Sequence, residues 1–151
     1  MSAPVRLAGL ASAVPYSYAA VVDPGSRPVL LAGACPLDAD GRTVAAGDVA
    51  GQTRACVENM RTALAASDAS LTDVVFVRVL VASASREDLA MAGDVVHDAF
   101  APHEPPGTLQ GVTVLGWEDQ LVEVEVVAAV ASAEGEPAQR PRPASPASTR
   151  Q

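Results

Sequence analysis

The run Val74-Val75-Phe76-Val77-Arg78-Val79-Leu80-Val81 decides the fold of this chain. It is rich in β-branched residues and shorter than a typical helix, so it predicts a buried β-strand. Side chains alternate between the two faces of a strand. One predicted face holds four valines, which are Val75, Val77, Val79 and Val81. The other face holds Phe76, Arg78 and Leu80, so both faces are largely apolar.

A helix is predicted on each side of this strand. Asp48 is a suitable N-cap for a helix that extends to about Ser67, because its carboxylate can accept hydrogen bonds from the first turn. Apolar residues then recur at helical spacing. The second helix is predicted over Ser85–Phe100, and Pro102 ends it because proline cannot continue a helix.

Four further strands complete the prediction. Ala19–Val22 and Pro28–Ala34 are separated by Asp23-Pro24-Gly25-Ser26, whose Pro-Gly pair indicates a turn. Two more strands are predicted near residues 108–114 and 120–130. The order ββ-α-β-α-ββ favours an α+β fold in which two helices pack on one face of the sheet.

Such a sheet has a second apolar face that the two helices cannot cover. A partner subunit would cover it, so the pattern predicts a homo-oligomer. The alternative is a monomer in which part of this face is exposed.

The composition is typical of one globular domain with few aromatic residues. The 151 residues are 49% hydrophobic and 3% aromatic, which predicts a core of valine, leucine and alanine. The net charge of −8 and the absence of lysine argue against nucleic acid or an anionic membrane surface as a partner. No apolar run approaches ~18 residues and no signal-peptide pattern begins the chain, so we expect a cytoplasmic protein.

No metal or cofactor site is predicted. Cys35 and Cys56 have no metal-ligand spacing and are expected to be free thiols. The folded domain is predicted to span residues 1–131. Residues 132–151 are rich in Pro, Ala, Ser and Arg and carry almost no apolar bulk, so we expect a disordered tail.

Six short segments carry a further pattern. They are Pro15-Tyr16-Ser17, Leu31–Asp38, Gly47–Arg54 with Glu58-Asn59-Met60, Leu71–Val75, Pro105-Pro106-Gly107-Thr108 and Val122–Glu125. In this order they resemble the signature sequences of the reactive-intermediate deaminase family, known as RidA or YjgF. The resemblance covers roughly residues 4–131.

The resemblance implies a chorismate-mutase-like α+β fold and a homotrimer whose sheets form a central barrel, with small-molecule sites in the clefts between subunits. Working members of the family hydrolyse a reactive imine or enamine to a carbonyl compound and ammonia. An arginine grips the substrate carboxylate in those members, because its planar fork makes two charge-assisted hydrogen bonds. In this chain the matching position is Gly107.

Two nearby family positions are also altered. The resemblance places Leu109 where the family has a cysteine, and Gly93 where it has an asparagine. These changes predict a wider and more apolar site that binds small carboxylate-bearing imines poorly.

Other family positions are kept. The resemblance assigns Glu123 to a glutamate associated with water, Tyr16 to a pocket tyrosine, and Gly33 to a glycine whose backbone lines the site. Glu123 and Glu125 are two residues apart on a strand, so their side chains share a face. Paired carboxylates suit general acid/base work. Alternatively, Glu125 faces solvent or pairs with an arginine of another subunit.

Further candidates belong to the predicted cleft. Arg78 either replaces the missing arginine or forms an interface ion pair. His103, in a loop that borders the cleft, is either an acid/base group or a solvated histidine. Trp117 covers the pocket or anchors the turn before the last strand, and Thr108 binds substrate or points away. Cys35 is expected to pack rather than to act as a nucleophile.

Three functions fit these residues. The first is an enzyme of specialised metabolism that acts on a larger imine, enamine or enol-type intermediate. The second is a non-catalytic binder of a small molecule, and the third is a structural trimer with vestigial pockets. Tyr16, Gly33 and Glu123 together favour the first, because a purely structural trimer would need none of their polar groups.

Overall fold

The computed structural model describes residues 16–131, the backbone of residues 3–5, and the short stretches 10–11 and 13–14. The predicted tail, residues 132–151, lies outside the described residues. The elements in chain order are the strands β1 (Ala3–Val5), β2 (Ala19–Val21) and β3 (Arg27–Leu30), the helix α1 (Val49–Ala66), a 3-10 turn (Leu71–Asp73), the strand β4 (Val74–Val81), the helix α2 (Arg86–Phe100), and the strands β5 (Gly107–Gly111) and β6 (Val122–Val130).

A mixed four-stranded sheet forms the centre of the fold, in the order β3-β6-β4-β5. Strand β6 is antiparallel to both β3 and β4, whereas β5 runs parallel to β4. Strands β1 and β2 form a separate antiparallel ribbon. The sequence predicts no strand at β1, because three residues are too few to reveal an alternating pattern.

Both helices pack on the same face of the sheet, which confirms the predicted α+β fold. The core between the layers is rich in valine, with Met60 and Leu64 from α1 and Val96 and Phe100 from α2. The sheet contributes alternate residues of β4 and β6 to this core. No helix in the described part of the chain is long and apolar enough to cross a membrane.

The helix boundaries follow from their caps, and both predicted helices are confirmed. The Asp48 carboxylate accepts a hydrogen bond from the Gly51 amide at 2.9 Å. The Ser85 hydroxyl accepts one from the Glu87 amide at 3.2 Å. Each cap satisfies an amide that the first turn of its helix leaves free.

The predicted faces of β4 need one correction. Val74 is opposite Ala128 of β6, but Phe76 is opposite Val127, so β4 has one extra residue at Val75. This β-bulge puts Val74, rather than Val75, in the core with Val77, Val79 and Val81. The other predicted face, with Phe76, Arg78 and Leu80, is as expected.

The ends of two predicted strands also differ. Leu30 is opposite Val127 and Ala34 forms a bridge with Val124, so the segment between them has one residue more than β6. Strand β3 therefore ends at Leu30 and the chain bulges before it rejoins the sheet at Ala34. Strand β5 ends at Gly111 rather than near 114, because its partner β4 ends at Val81.

One face of the sheet carries no helix, and we call it the open face. Its residues are Leu30, Phe76, Arg78, Leu80, Glu123, Glu125 and Val127, together with Thr108 and Gln110 of β5, because cross-strand partners share a face. Leu30 is 74% exposed on this face. The face is therefore apolar at one end and carries carboxylates at the other.

Gln52 connects α1 to the turn that leads into β6. Its side chain is fully buried. The amide nitrogen donates to the Asp119 carbonyl at 2.8 Å, and the amide oxygen accepts from the Leu121 amide at 2.7 Å. Gln52 therefore fixes the start of the strand that carries Glu123.

We expect Gln52→Leu to lower the free energy of unfolding by about 2 to 3 kcal/mol, because it leaves two backbone groups without their partners. Urea unfolding followed by circular dichroism measures this change. Arg54→Leu on the same helix is the control and should change stability by less than about 0.5 kcal/mol, because Arg54 is exposed. Equal unfolding midpoints for the two variants would contradict the role assigned to Gln52.

Candidate functional site

Glu123 lies on the open face, where three groups hold its carboxylate. The buried Gln120 amide donates to Oε2 at 3.2 Å, and the Cys35 thiol donates to the same oxygen at 3.6 Å. Gln120 is held in turn by the Trp117 amide, which donates to its side-chain oxygen at 3.0 Å. The carboxylate is half-buried and its position is set by these contacts.

Gly33 is the third group against this carboxylate. A Cβ at position 33 would overlap the Glu123 carboxylate oxygen, so only glycine lets the side chain lie against the backbone here. Gly33 belongs to the bulged segment between Leu30 and Ala34. The glutamate site is defined as Gly33, Cys35, Gln120 and Glu123.

Burial raises the pKa of the Cys35 thiol, and the nearby charge of Glu123 raises it further. The thiol therefore stays protonated near neutral pH and serves as a hydrogen-bond donor. Nucleophilic cysteines need the thiolate form, so this environment argues against a nucleophile. Cys56 is a second free thiol, in the core, where burial raises its pKa to about 12.

A cavity of about 330 Å³ lies between α2, β5 and the loop that joins them. It is called the α2–β5 cavity. Six of the residues singled out from the sequence line it, namely Tyr16, Gly93, His103, Gly107, Thr108 and Leu109. Thr108 borders the cavity although its strand position, opposite Arg78, places its side chain on the open face. The rest of the lining combines apolar side chains of α2 and β4 with the polar residues Asp94, His97 and Glu104.

The backbone at Gly107 leaves no room for a side chain. A Cβ there would overlap the carbonyl oxygen of Val77, the residue opposite it on β4. An arginine at position 107 would therefore require the edge strand to move. The backbone of β4 and β5 therefore closes position 107 to a side chain.

Leu109 and Gly93 form a complementary pair inside the cavity. A Cβ at Gly93 would lie 3.1 Å from Cδ2 of Leu109, so the leucine already occupies the space beside the helix. Leu109 therefore adds an apolar side chain to the cavity and fills part of the width that Gly93 opens.

His103 is held by the protein rather than free in solvent. Its Nε2 lies 2.7 Å from the carbonyl oxygen of Val74. A carbonyl oxygen only accepts hydrogen bonds, so Nε2 carries the hydrogen and Nδ1 is an acceptor whenever the ring is neutral.

Arg78 forms an ion pair with Glu125 of the neighbouring strand, at 2.7 Å, and its guanidinium lies 5.8 Å from the Phe76 ring centre. Its partner is thus a glutamate of the same chain, and an ion pair across a subunit interface stays a prediction. This pair neutralises the cation that was a candidate replacement for the missing arginine.

Trp117 is half exposed and lines another cavity, of about 340 Å³, together with Gly33 and Cys35. It lies beside the glutamate site and contributes its backbone amide to Gln120. Both roles suggested by the sequence, cover and anchor, are compatible with this position.

The candidate residues form two groups on opposite sides of the sheet. The glutamate site lies on the open face, whereas the α2–β5 cavity lies between β5 and a helix. One chain therefore does not bring Glu123 and Tyr16 into one cleft. The sequence reasoning missed Gln120, for which the only signal was a polar residue just before an apolar strand.

Within the described residues, no group of three or more His, Cys, Asp or Glu side chains could hold a metal ion.

A family model described as Endoribonuclease L-PSP matches residues 7–130. The chain belongs to this family. It is the family of the Rid and YjgF proteins, as the similar proteins also indicate, and it includes reactive-intermediate deaminases. A RutC family protein of Pyrococcus abyssi is 32% identical over 114 residues, which are 76% of this chain and 85% of that protein.

Two solved structures illustrate the likeness. Rv2704 from Mycobacterium tuberculosis, a member of the YjgF/YER057c/UK114 family, is 34% identical with a TM-score of 0.57, covering 79% of this chain and 90% of that one. The Rid family protein YyfB from Yersinia pestis, of unknown function, has a TM-score of 0.79 at 24% identity. That match covers 85% of this chain and 98% of YyfB and shows the shared fold.

We expect Gly107→Ala to destabilise the Rid-family fold by about 1 to 3 kcal/mol, because the new Cβ overlaps the Val77 carbonyl. Thermal unfolding measures the loss. Gly116→Ala is the matched control, since no atom lies within 4 Å of a Cβ there, and its stability should change by less than about 0.5 kcal/mol. A Gly107→Ala variant as stable as the control would show that β5 does accept a side chain at this position.

Proposed function

We propose that this Rid-family protein is a homotrimeric enzyme that acts on a reactive imine, enamine or enol-type intermediate in a cleft between subunits. The reaction is hydrolysis or acid/base-assisted rearrangement. The observation that carries the proposal is the Glu123 carboxylate, held by Gln120 and Cys35 against the backbone of Gly33. A side chain positioned so firmly on a half-buried site suits proton transfer.

Glu123 would act as a general base and then as a general acid. In hydrolysis it takes a proton from water while the water oxygen bonds to the imine carbon. It then returns that proton to the nitrogen of the carbinolamine. As the carbon–nitrogen bond breaks and ammonia leaves, the Glu123 carboxylate takes the remaining hydroxyl proton and the carbonyl compound forms; that proton passes on to the released ammonia, which leaves as ammonium when the substrate is the protonated imine. Tyr16 is proposed as the second polar group of the cleft, where it orients the substrate.

Small carboxylate-bearing imines are poor candidates for the substrate. Position 107 has no side chain, and Arg78 is occupied by Glu125. A lost bidentate ion contact costs about 2 to 5 kcal/mol of binding, which is enough to change the preferred substrate class.

The trimer is proposed because the two halves of the candidate site lie on opposite sides of the sheet in one chain. An assembly that packs the open face of one subunit near a neighbour's β5 edge would bring Glu123 close to the other subunit's Tyr16 and Leu109. The exposed Leu30 and the neighbouring Phe76 and Leu80 supply the apolar area such contact needs.

A second candidate function is a non-catalytic binder or structural trimer with vestigial pockets, which the missing side chain at Gly107 favours. The family description names a ribonuclease, but RNA is not proposed as the substrate here. The net charge of −8 repels a polyanion, and the chain has no lysine to neutralise phosphates.

We expect Glu123→Gln to lower the turnover of an accepted imine about 10²- to 10⁴-fold, because the amide cannot accept the proton from water. Imines generated in place by an amine or amino-acid oxidase provide the substrates, and ammonia release measures the rate. Glu118→Gln, which removes a carboxylate from the exposed loop before β6, is the control and should keep full turnover. An unchanged rate in Glu123→Gln would favour the non-catalytic binder.

We expect Leu30→Glu to dissociate the trimer, because it places an unpaired charge in an apolar contact at a cost of several kcal/mol. Light scattering after size-exclusion chromatography measures the assembly. Met91→Glu on α2 replaces another exposed apolar side chain, away from the open face, and should leave the trimer intact. A wild type that is monomeric at micromolar concentration would contradict the assembly.

A further inference from the structure

We infer that Gln120 is a positioning residue that decides which oxygen of Glu123 carries the proton. Oε2 is kept as a hydrogen-bond acceptor, and Oε1, the oxygen beside Gly33, takes and returns the proton. The inference rests on the proposed function, because it names the reacting atom of the proposed base.

The orientation of the Gln120 side-chain amide is determined by two backbone groups. The Trp117 amide nitrogen, which can only donate, lies 3.0 Å from the Gln120 oxygen. The Val122 carbonyl oxygen, which can only accept, lies 3.1 Å from the Gln120 nitrogen. Turning the amide over would place two donors together at one end and two acceptors together at the other. The nitrogen of Gln120 therefore faces Glu123, where it lies 3.2 Å from Oε2.

This orientation requires Oε2 of Glu123 to accept a hydrogen bond. The Gln120 nitrogen carries two hydrogens, of which one goes to the Val122 carbonyl and the other to Oε2. A hydroxyl oxygen is a poorer acceptor than a carbonyl or carboxylate oxygen, so a proton on Oε2 would weaken this bond. Because Gln120 is buried, its amide hydrogen would then lack a good partner, which is costly.

The Cys35 thiol is a second donor on the side of Oε2. Its sulfur lies 3.6 Å from Oε2 of Glu123 and 3.7 Å from the Gly33 carbonyl oxygen, so one thiol hydrogen serves two acceptors. Burial, and then the charge of Glu123, raise the pKa of this thiol, so it keeps its hydrogen near neutral pH. Cys35 thus favours the same assignment, but Gln120 is the donor with a fixed direction.

The other oxygen, Oε1, is left for proton transfer. Among the described residues, none donates a hydrogen bond to Oε1 of Glu123. This oxygen lies where a Cβ of residue 33 would be, and only glycine leaves it that place. Glu123 is half-buried on the open face, so water or a substrate nitrogen can approach it. The other charged groups of that face, Arg78 and Glu125, are paired with each other at 2.7 Å.

One atom then handles each proton of the proposed hydrolysis. Oε1 takes a proton from the attacking water as the water oxygen bonds to the imine carbon, and it returns that proton to the nitrogen of the carbinolamine. It takes the hydroxyl proton as the carbon–nitrogen bond breaks, and this proton passes to the released ammonia. Gln120 touches none of the reacting atoms and acts only through Glu123.

Infrared spectroscopy tests the assignment without a substrate. The C=O stretch of a protonated carboxyl group falls in frequency when its oxygen accepts a hydrogen bond. If Oε1 carries the proton, the carbonyl oxygen of Glu123 is Oε2, which is bonded to Gln120. We therefore expect Gln120→Met to move the carboxyl band of Glu123 to higher frequency in acid solution. The band is the one that Glu123→Gln removes from the difference spectrum between acid and neutral pH, with circular dichroism confirming the fold at both.

A double-mutant cycle separates positioning from a structural effect. Gln120→Met should lower kcat for an accepted imine about 10- to 100-fold and change KM less than about threefold, because it disturbs the base rather than the bound substrate. In the Glu123→Gln background the same change should lower kcat less than about threefold, since the group through which Gln120 acts is already gone. Glu118→Gln is the control background, because this exposed carboxylate lies outside the glutamate site. There the loss should be as large as in the wild type.

Gln120→Asn is the second variant, and it replaces Gln120→Met if the latter does not fold. It keeps the amide but is one methylene shorter, so it cannot hold both Trp117 and Glu123. An unshifted infrared band, or an equal loss of kcat in the Glu123→Gln background, would overturn the inference even for an active enzyme. If the band shifts as expected but no imine is hydrolysed, Oε1 is the protonated oxygen and the proposed enzyme activity fails.

Discussion

The register of the central strand β6 is the constraint on which the rest of the structure depends. The strand lies between β3 and β4, and alternate residues (Val122, Val124, Val126 and Ala128) are buried under the helices. Glu123 and Glu125 must then face the other way. A slip of one residue would bury both carboxylates and expose the valines, so hydrophobic packing sets the face on which Glu123 lies. Gln52 and Gln120 add hydrogen bonds at the start of the strand, where the chain enters this register.

Close approaches at three glycines shape the candidate site. Gly33 lets the Glu123 carboxylate lie against the backbone, Gly93 makes room for Leu109, and Gly107 lets β5 approach the Val77 carbonyl. At Gly107 the obstacle to a side chain is backbone, whereas at Gly33 and Gly93 it is a neighbouring side chain. Together these contacts leave position 107 without a side chain and put the apolar Leu109 beside α2.

Much of the fold was predictable because it depends on local signals. The caps Asp48 and Ser85 mark the starts of the helices, and the run of β-branched residues marks β4. Helix capping and hydrophobic periodicity depend only on residues that are close together in sequence. The bulge at Val75 and the one before Ala34 were not predictable in this way. Their positions depend on which residue of β6 lies opposite, and that pairing joins segments far apart in sequence. For the same reason, the sequence did not predict the hydrogen bond from Gln120 to Glu123 or the ion pair between Arg78 and Glu125.

The sequence by itself determined the order of the main elements from β2 to β6, the valine-rich core, the carboxylate at position 123 and the absence of an arginine at 107. Each of these is a property of residue type or of short-range spacing. Only the tertiary structure decided that Arg78 is neutralised by Glu125, that Gly107 leaves no room for a side chain, and that Tyr16 and Glu123 lie in different places in one chain. The physical reason is that ion pairs and steric overlaps depend on distances between atoms of different strands. Those distances are set by how the strands pair, and the paired segments are far apart in sequence.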